Sequence, residues 1–497
     1  MITSLPPFLI FFAGALVVAF APNRLRPTLT LLVPLFGGWN LWYVAAGSDL
    51  TVALFDYRLE LVRSDKLSLL FGILFHLATF LISIYAVHIR DRLQQVSSLV
   101  YAGGALGAVF AGDLITLFVA WELMAVSSVF LIWARRTPRA SSAGLRYLAI
   151  QISSGLLLLA GALLHISETG SLAFGPLGVG SLAGVLIFTA FGIKCAFPLV
   201  HSWLTDAYPE ATPSGMVFLS AFTTKVAVYG LARSFAGTEA LIYIGTAMAM
   251  FPIFYAVIEN DLRRVLAFSL INQVGFMVVG IGIGSELALN GAVSHAFNDV
   301  LFKGLLLMTM GAVLHQTGKI NGSELGGLYK TMPITTGFCI VGAASISAFP
   351  LFSGFVSKSM VMAAAAQEGY WIVWLLLLFA SAGVFHHAGI KIPYFAFFAH
   401  DSGIRTREPP ANMLIAMGLG AALCILIGVY PSLLYGLLPW EVHYIPYTAD
   451  HVLTQLQLLF FSALAFAWLN LAGLYPPELP SVNLDADWLY RRLGLRG

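Results

Sequence analysis

The chain has 497 residues, of which 59% are hydrophobic and only 10% charged, with a formal net charge of +2. Soluble domains carry about a quarter charged residues, so this chain could not clothe a water-facing surface and is expected to be an integral membrane protein with many spans. The small net charge argues against nucleic-acid binding, and Cys195, Cys339 and Cys424, far apart in apolar segments, argue against a disulfide framework, a zinc site or an iron–sulfur site.

In chain order, MITSLPPFLIFFAGALVVAF lacks a basic leader and a small-residue cleavage site, so it reads as a first membrane helix and not as a removed signal peptide. A bilayer-crossing helix needs about 20 mostly apolar residues. The candidates are 5–21, 28–47, 66–88, 97–111, 113–134, 145–166, 178–200, 212–235, 239–258, 264–284, 288–315, 334–366, 371–397, 411–432 and 453–474. The expected fold class is an all-α polytopic membrane protein with about 14–15 transmembrane helices. Segment 334–366 is too long for one straight helix. Within it lies ISAFPLFSGF at 346–355, where Pro350 removes a backbone donor and Gly354 loosens the chain. A discontinuous helix is expected there, and such a break is tolerated at membrane depth only inside protein or beside a water-filled cavity. Span 178–200 likewise meets Pro198 near its end.

Basic residues set orientation. Arg24 and Arg26, Arg90 and Arg92, Arg135, Arg136 and Arg139, Arg263 and Arg264, Lys319 and Lys330, and Arg405 and Arg407 follow odd-numbered spans, and the tail adds Arg491, Arg492 and Arg496. This pattern places the N-terminus outside and the basic loops and tail in the cytoplasm. No low-complexity linker interrupts the chain. It reads as one membrane domain, with N-terminal helices over 1–96, a core over 97–400, and C-terminal helices with a short tail over 401–497.

An ionisable side chain at the bilayer centre costs at least about 2.5 kcal/mol on insertion scales, and it usually faces the protein interior with a task to perform. Glu122 lies mid-span in DLITLFVAWELMAVSSVFLIW, too deep to snorkel; a protonated structural glutamate is the competing reading. Lys194, in FTAFGIKCAFPLVHSWL, either snorkels to the cytoplasmic edge or points inward. Lys225 lies deep in GMVFLSAFTTKVAVYGLA, where a buried lysine serves as a proton carrier or sits in a fixed ion pair. In SHAFNDVLFKGLLLM, His295, Asp299 and Lys303 fall at i, i+4 and i+8 on one helix face, with Asp299 placed to meet both neighbours; a closed static network is the alternative. Lys358 follows the break at 346–355. For His201, His386, His387 and Lys391 an edge position and a relay role stand level. Titratable groups of mixed sign on several spans are what a proton path through a protein requires. They point to ion translocation without naming the ion. The chain shows no flavin, iron–sulfur or nucleotide motif, so no cofactor or metal site is expected on it.

Ordered stretches extend this picture: DKLSLLFGILF at 65–75, WELM at 121–124, GIKCAFPLVHSWLTDAYPEATP at 192–213 and LSAFTTKVAVYGLAR at 219–233. They continue with ENDLRRVLAFSLINQVGF at 259–276, HAFNDVLFKGLLLMTMGAVLH at 295–315, LGGLYKTMP at 325–333 and FPLFSGFVSKSM at 349–360. Over roughly 60–400 the chain resembles the antiporter-like membrane subunits shared by respiratory complex I, membrane-bound hydrogenases and Mrp-type cation/proton antiporters, and within them it looks most similar to the D-type Mrp subunit. The resemblance implies two inverted five-helix repeats, each with a discontinuous helix, forming a proton-translocating core over 97–400. It implies that Glu122 pairs with Lys194, that Lys225 follows, that the HxxxHxxxK helix supplies His295 and Lys303, and that Lys358 ends the path.

The implied function is a proton-translocating subunit of a multisubunit Na⁺/H⁺ antiporter. The alternatives are a pump subunit of a complex I-like NADH:quinone oxidoreductase or membrane hydrogenase, with the redox centres on partners, or a purely structural coupling subunit. Other membrane subunits, the lipid bilayer, H⁺ and Na⁺ are the implied partners, in a bacterial cytoplasmic membrane. Two departures mark this chain: Asp299 stands where the family pattern has its second histidine, and Val200 separates Leu199 from His201. The last span and the tail also exceed the usual 14-helix core.

Overall fold

The computed structural model describes residues 5–44, 49–55, 57–480 and 483–488; the tail arginines 491, 492 and 496 lie outside them. Each expected span contains a helix. The first six are α1 (Pro7–Phe20), α2 (Arg26–Tyr43), α3 (Lys66–Tyr85), α4 (Arg92–Phe110), α5 (Leu114–Trp133) and α6 (Pro138–Thr169). A broken span follows as α7 (Leu182–Lys194) and α8 (Ser202–Ala207), then α9 (Pro213–Ser234), α10 (Ala240–Ile258), α11 (Leu262–Ile283) and α12 (Glu286–Thr317). A second broken span comprises α13 (Pro333–Ile346) and α14 (Ser353–Gln367). The chain continues through α15 (Trp371–Val384), α16 (Ala411–Val429), the short α17 (Ser432–Tyr435) and α18 (Ala449–Leu471). Among the described residues ten helices are individually long and apolar enough to cross a membrane; α1, α7 and α13 are shorter apolar helices.

The helices form two inverted repeats of five spans: α4 to α9, with α7 and α8 as one broken span, and α10 to α15, with α13 and α14 as the other. Five is odd, so the second repeat enters the bilayer from the opposite side. The local details recur. An aspartate caps the second helix of each repeat, Asp113 on α5 and Asp261 on α11, and each makes an isolated bridge, to Ala173 and to Asn321. The third helices, α6 and α12, both run 32 residues.

Each break is the same tetrapeptide, Ala196-Phe197-Pro198-Leu199 and Ala348-Phe349-Pro350-Leu351. The alanine and leucine of each take left-handed backbone, with φ of 62° and 73° in the first and 57° and 75° in the second. Such a conformation costs a residue with a side chain roughly 1–3 kcal/mol and persists only where surroundings enforce it. Each proline lacks an N–H, so the carbonyl four residues earlier, on Lys194 or Ile346, has no helical partner. Gly354 serves close approach and not looseness: a Cβ there would lie 1.9 Å from the Ser345 carbonyl oxygen.

One element was not expected. Strands β1 (Asp49–Leu54) and β2 (Tyr57–Arg63) form an antiparallel hairpin with a register shift between Leu50 and Thr51. A search for long apolar runs does not detect strands this short. The hairpin is tied down by Asp113, whose carboxylate accepts from the Glu60 N–H at 2.8 Å and from the α5 N–H groups of Ile115 and Thr116 at 2.9 and 2.7 Å. Asp113→Ala is expected to cost roughly 2 kcal/mol, since it removes an N-cap and the hairpin anchor together; a lower melting temperature in detergent, with Asp113→Asn close to wild type, checks this.

The chain packs as two compact units. Unit 1 comprises Met1–Ala196, Asp206–Thr238 and Leu437–Pro439, and unit 2 comprises Phe197–Thr205, Glu239–Gly436 and Trp440–Gly497.

Candidate functional site

Unit 1 gathers Glu122, Lys194 and Lys225. Lys194 is the last residue of α7 and is fully buried. Its Nζ donates to the Trp121 carbonyl at 2.8 Å and lies 4.3 Å from the centre of the Trp121 ring, a desolvated cation–π contact. The indole is pinned in turn: its N–H donates to Ser154 Oγ at 3.0 Å, and that hydroxyl donates to the Ala190 carbonyl at 2.7 Å. Glu122, the next residue on α5, is half-buried and its charge interacts with that of Lys194. The carboxylate occupies a notch over Gly155 on α6, where a Cβ would lie 1.4 Å from Glu122 Oε1. Lys225, fully buried on α9, donates to the Ser220 carbonyl at 3.2 Å, and its charge reaches Cys195, the neighbour of Lys194. Around these groups lie buried hydroxyl pairs that sequence reasoning missed: Tyr101 with Thr223 at 2.5 Å and Ser128 with Tyr147 at 2.8 Å.

Unit 2 gathers His295, Asp299, Lys303 and Lys358, all buried. The three α12 residues share a face but serve different neighbours. His295 uses both ring nitrogens, Nδ1 with Ser357 Oγ on α14 at 3.1 Å and Nε2 with Gln273 Oε1 on α11 at 3.0 Å. Lys303 donates to Ser269 Oγ on α11 at 2.7 Å. The charge of Asp299 acts on Lys358. Lys358, one turn into α14, donates at 2.9 Å to the Ile346 carbonyl that Pro350 leaves without a helical partner. The ammonium thereby caps the C-terminus of α13, where the helix dipole is negative. It also lies 5.2 Å from the centre of the Phe276 ring.

The residues left level by the sequence find carboxylate partners from beyond α18. His201 Nε2 lies 2.9 Å from Asp485 Oδ1, and Lys391 Nζ lies 2.8 Å from Glu478 Oε1. Neither acid was singled out from the sequence. Both sit in a polar stretch after the last apolar run, where nothing local signals burial.

The sequence matches the family model described as "NADH:quinone oxidoreductase/Mrp antiporter, TM" over residues 111–384. The chain is 27% identical to Hydrogenase-4 component B of Escherichia coli (strain K12), over 76% of this chain and 63% of that protein. It is 28% identical to a Na(+)/H(+) antiporter subunit of Alkalihalophilus pseudofirmus (strain ATCC BAA-2126 / JCM 17055 / OF4), over 74% of this chain and 52% of that protein. It therefore spans between half and two thirds of the length of these curated relatives. Its fold is similar to a chain in the structure of the Mrp complex from Dietzia sp. DQ12-45-1b, with a TM-score of 0.78 at 22% identity, over 87% of this chain and 95% of that one. The matched region takes in both broken spans and every buried charge from Glu122 to Lys358. The chain belongs to the NADH:quinone oxidoreductase/Mrp antiporter transmembrane family.

Proposed function

We propose that this chain is the proton-translocating subunit of a multisubunit monovalent cation/proton antiporter, with Na⁺ as the cation and the role of a D-type Mrp subunit. Protons use Lys194 and Lys225 in unit 1 and His295, Asp299, Lys303 and Lys358 in unit 2, with the Glu122–Lys194 interaction as the control point. One observation carries this reading: the lysines at the two breaks rest on carbonyl oxygens, of Trp121 and of Ile346. A lysine bound directly to a buried carboxylate is locked in its charged form, because discharging it strands the partner. A lysine held by a carbonyl releases its proton without leaving a bare charge, and the nearby acids, Glu122 and Asp299, act on it through space.

In this reading, movement of Glu122 away from Lys194 releases the Lys194 proton towards Lys225. Asp299 performs the same service for Lys358. The chain works with other membrane subunits in the cytoplasmic membrane, its N-terminus outside, and holds no redox centre. The test is Na⁺-dependent proton flux in inverted vesicles carrying the assembled complex. Lys225→Ala is expected to lower flux at least tenfold, and wild-type flux in an assembled Lys225→Ala complex overturns the reading. The similarity to a hydrogenase component supports a second reading, a redox-driven pump. Flux that requires an electron donor and ignores Na⁺ selects it.

A further inference from the structure

The segment after α18 folds onto unit 2 through polar contacts. Asn483 Nδ2 donates to Glu259 Oε2 at 3.1 Å, Asp485 meets His201, and the Tyr475 ring stacks on His386 with centroids 5.4 Å apart. Between these anchors, Glu478 turns inward. Its side chain is 5% exposed and its partner Lys391 is 0% exposed. Lys391 Nζ also donates to the carbonyls of Val257 and Glu259, both at 2.6 Å. The helix carrying Lys391 is π-helical over Phe385–Lys391, a widened form often found at functional sites.

Lys391 does not stand alone. His387, one turn before it, is fully buried and feels the charges of both Lys303 and Lys391. Apart from a contact with the Gly383 carbonyl that falls short of a hydrogen bond, its ring nitrogens have no partner among the described residues. A buried imidazole in that position is free to take a proton from one side and give it to the other. A succession of titratable groups thus runs from Lys303 through His387 and Lys391 to Glu478, and all but Lys303 lie outside the matched family region.

We propose that Lys391 and Glu478 are a proton-exchange pair that extends the translocation path, with His387 linking it to Lys303. The inference rests on the translocation reading above. In the exchange an N–H bond of the Lys391 ammonium breaks, its electron pair stays on Nζ, and an O–H bond forms on Glu478 Oε1. Ammonium and carboxylate become amine and carboxylic acid, and no further reagent is needed. Two features make the neutral pair accessible. A buried ion pair carries a desolvation penalty that its neutral form avoids. Glu259 adds a second carboxylate facing Glu478, which favours protonation. Burial holds Glu478 above the usual carboxylate range, with Lys391 opposing and Glu259 reinforcing the effect; Tyr475 is the other titratable group beside it.

The test uses the assembled complex in inverted vesicles, with proton flux followed across pH. Glu478→Gln is expected to lower flux at least tenfold. Because the Glu478 pKa is raised, the wild-type carboxylate stays protonated, and stops accepting, once pH falls below that raised value. Glu478→Asp is expected to restore flux and move this acidic limb to lower pH, since aspartate ordinarily titrates below glutamate. Wild-type flux and an unmoved profile in Glu478→Gln overturn the proposal. Lys358→Ala, measured alongside, separates the two ideas: if it loses flux while Glu478→Gln keeps it, only the exchange pair fails, and if both keep flux the translocation reading fails. Should Glu478→Gln not assemble, Lys391→Met with Glu478→Leu removes both charges together; the same loss is expected, and wild-type flux overturns the pair.

Discussion

Lys358→Arg is expected to assemble normally and to lose proton flux at least a hundredfold in vesicles. The two properties separate because Lys358 has two tasks. Its Nζ caps the Ile346 carbonyl at the end of α13, and in the proposed path it also exchanges a proton. An arginine keeps the positive charge and the N–H donors for the cap, so the broken span stays intact. It holds its proton throughout the physiological range, so it passes none on. Lys358→Met removes both tasks: the Ile346 carbonyl is left unsatisfied, and stability falls by roughly 1–3 kcal/mol along with flux. A Lys358→Arg complex with wild-type flux would mean that the residue is only a cap.

Gly155→Ala is expected to lower flux at least tenfold with every titratable residue still present. The added methyl would sit 1.4 Å from Glu122 Oε1, an overlap that forces the carboxylate out of its notch. Glu122 is half-buried and has room to rotate away, so the helices need not separate, and the loss falls on the interaction with Lys194. The double variant Gly155→Ala, Glu122→Gln is then expected to be no worse than Glu122→Gln alone, because both changes remove one interaction. Additive losses in that cycle would show that Gly155 acts through helix packing instead.

The two outcomes depend on different amounts of sequence information. Lys358 stood out at once, because an ammonium in an apolar run beside a proline is conspicuous in any reading. Gly155 did not, since a glycine in ISSGLLLLAG is unremarkable until α5 is laid across it. The repeated Ala-Phe-Pro-Leu at 196–199 and 348–351 was available in the sequence and would have identified the two breaks as equivalent. The hairpin Asp49–Leu54 and Tyr57–Arg63 was hidden between longer apolar runs.

The sequence alone determined the spans, the breaks and the identity of the buried charges. Each of these follows from a local property: a run of apolar residues must enter the bilayer, a proline must forfeit its hydrogen bond, and a lone charge in such a run must turn inward. Only the tertiary structure decided the partners. His295 bonds to Gln273 and Ser357 on other helices, Lys194 rests on Trp121, and Lys391 meets Glu478 from a segment beyond the last helix. Helical spacing brings Asp299 within reach of its own-helix neighbours, but a long side chain in a crowded bundle goes where the nearest unsatisfied oxygen lies. That oxygen is supplied by whichever helix packs alongside, and helical spacing within one span does not specify which.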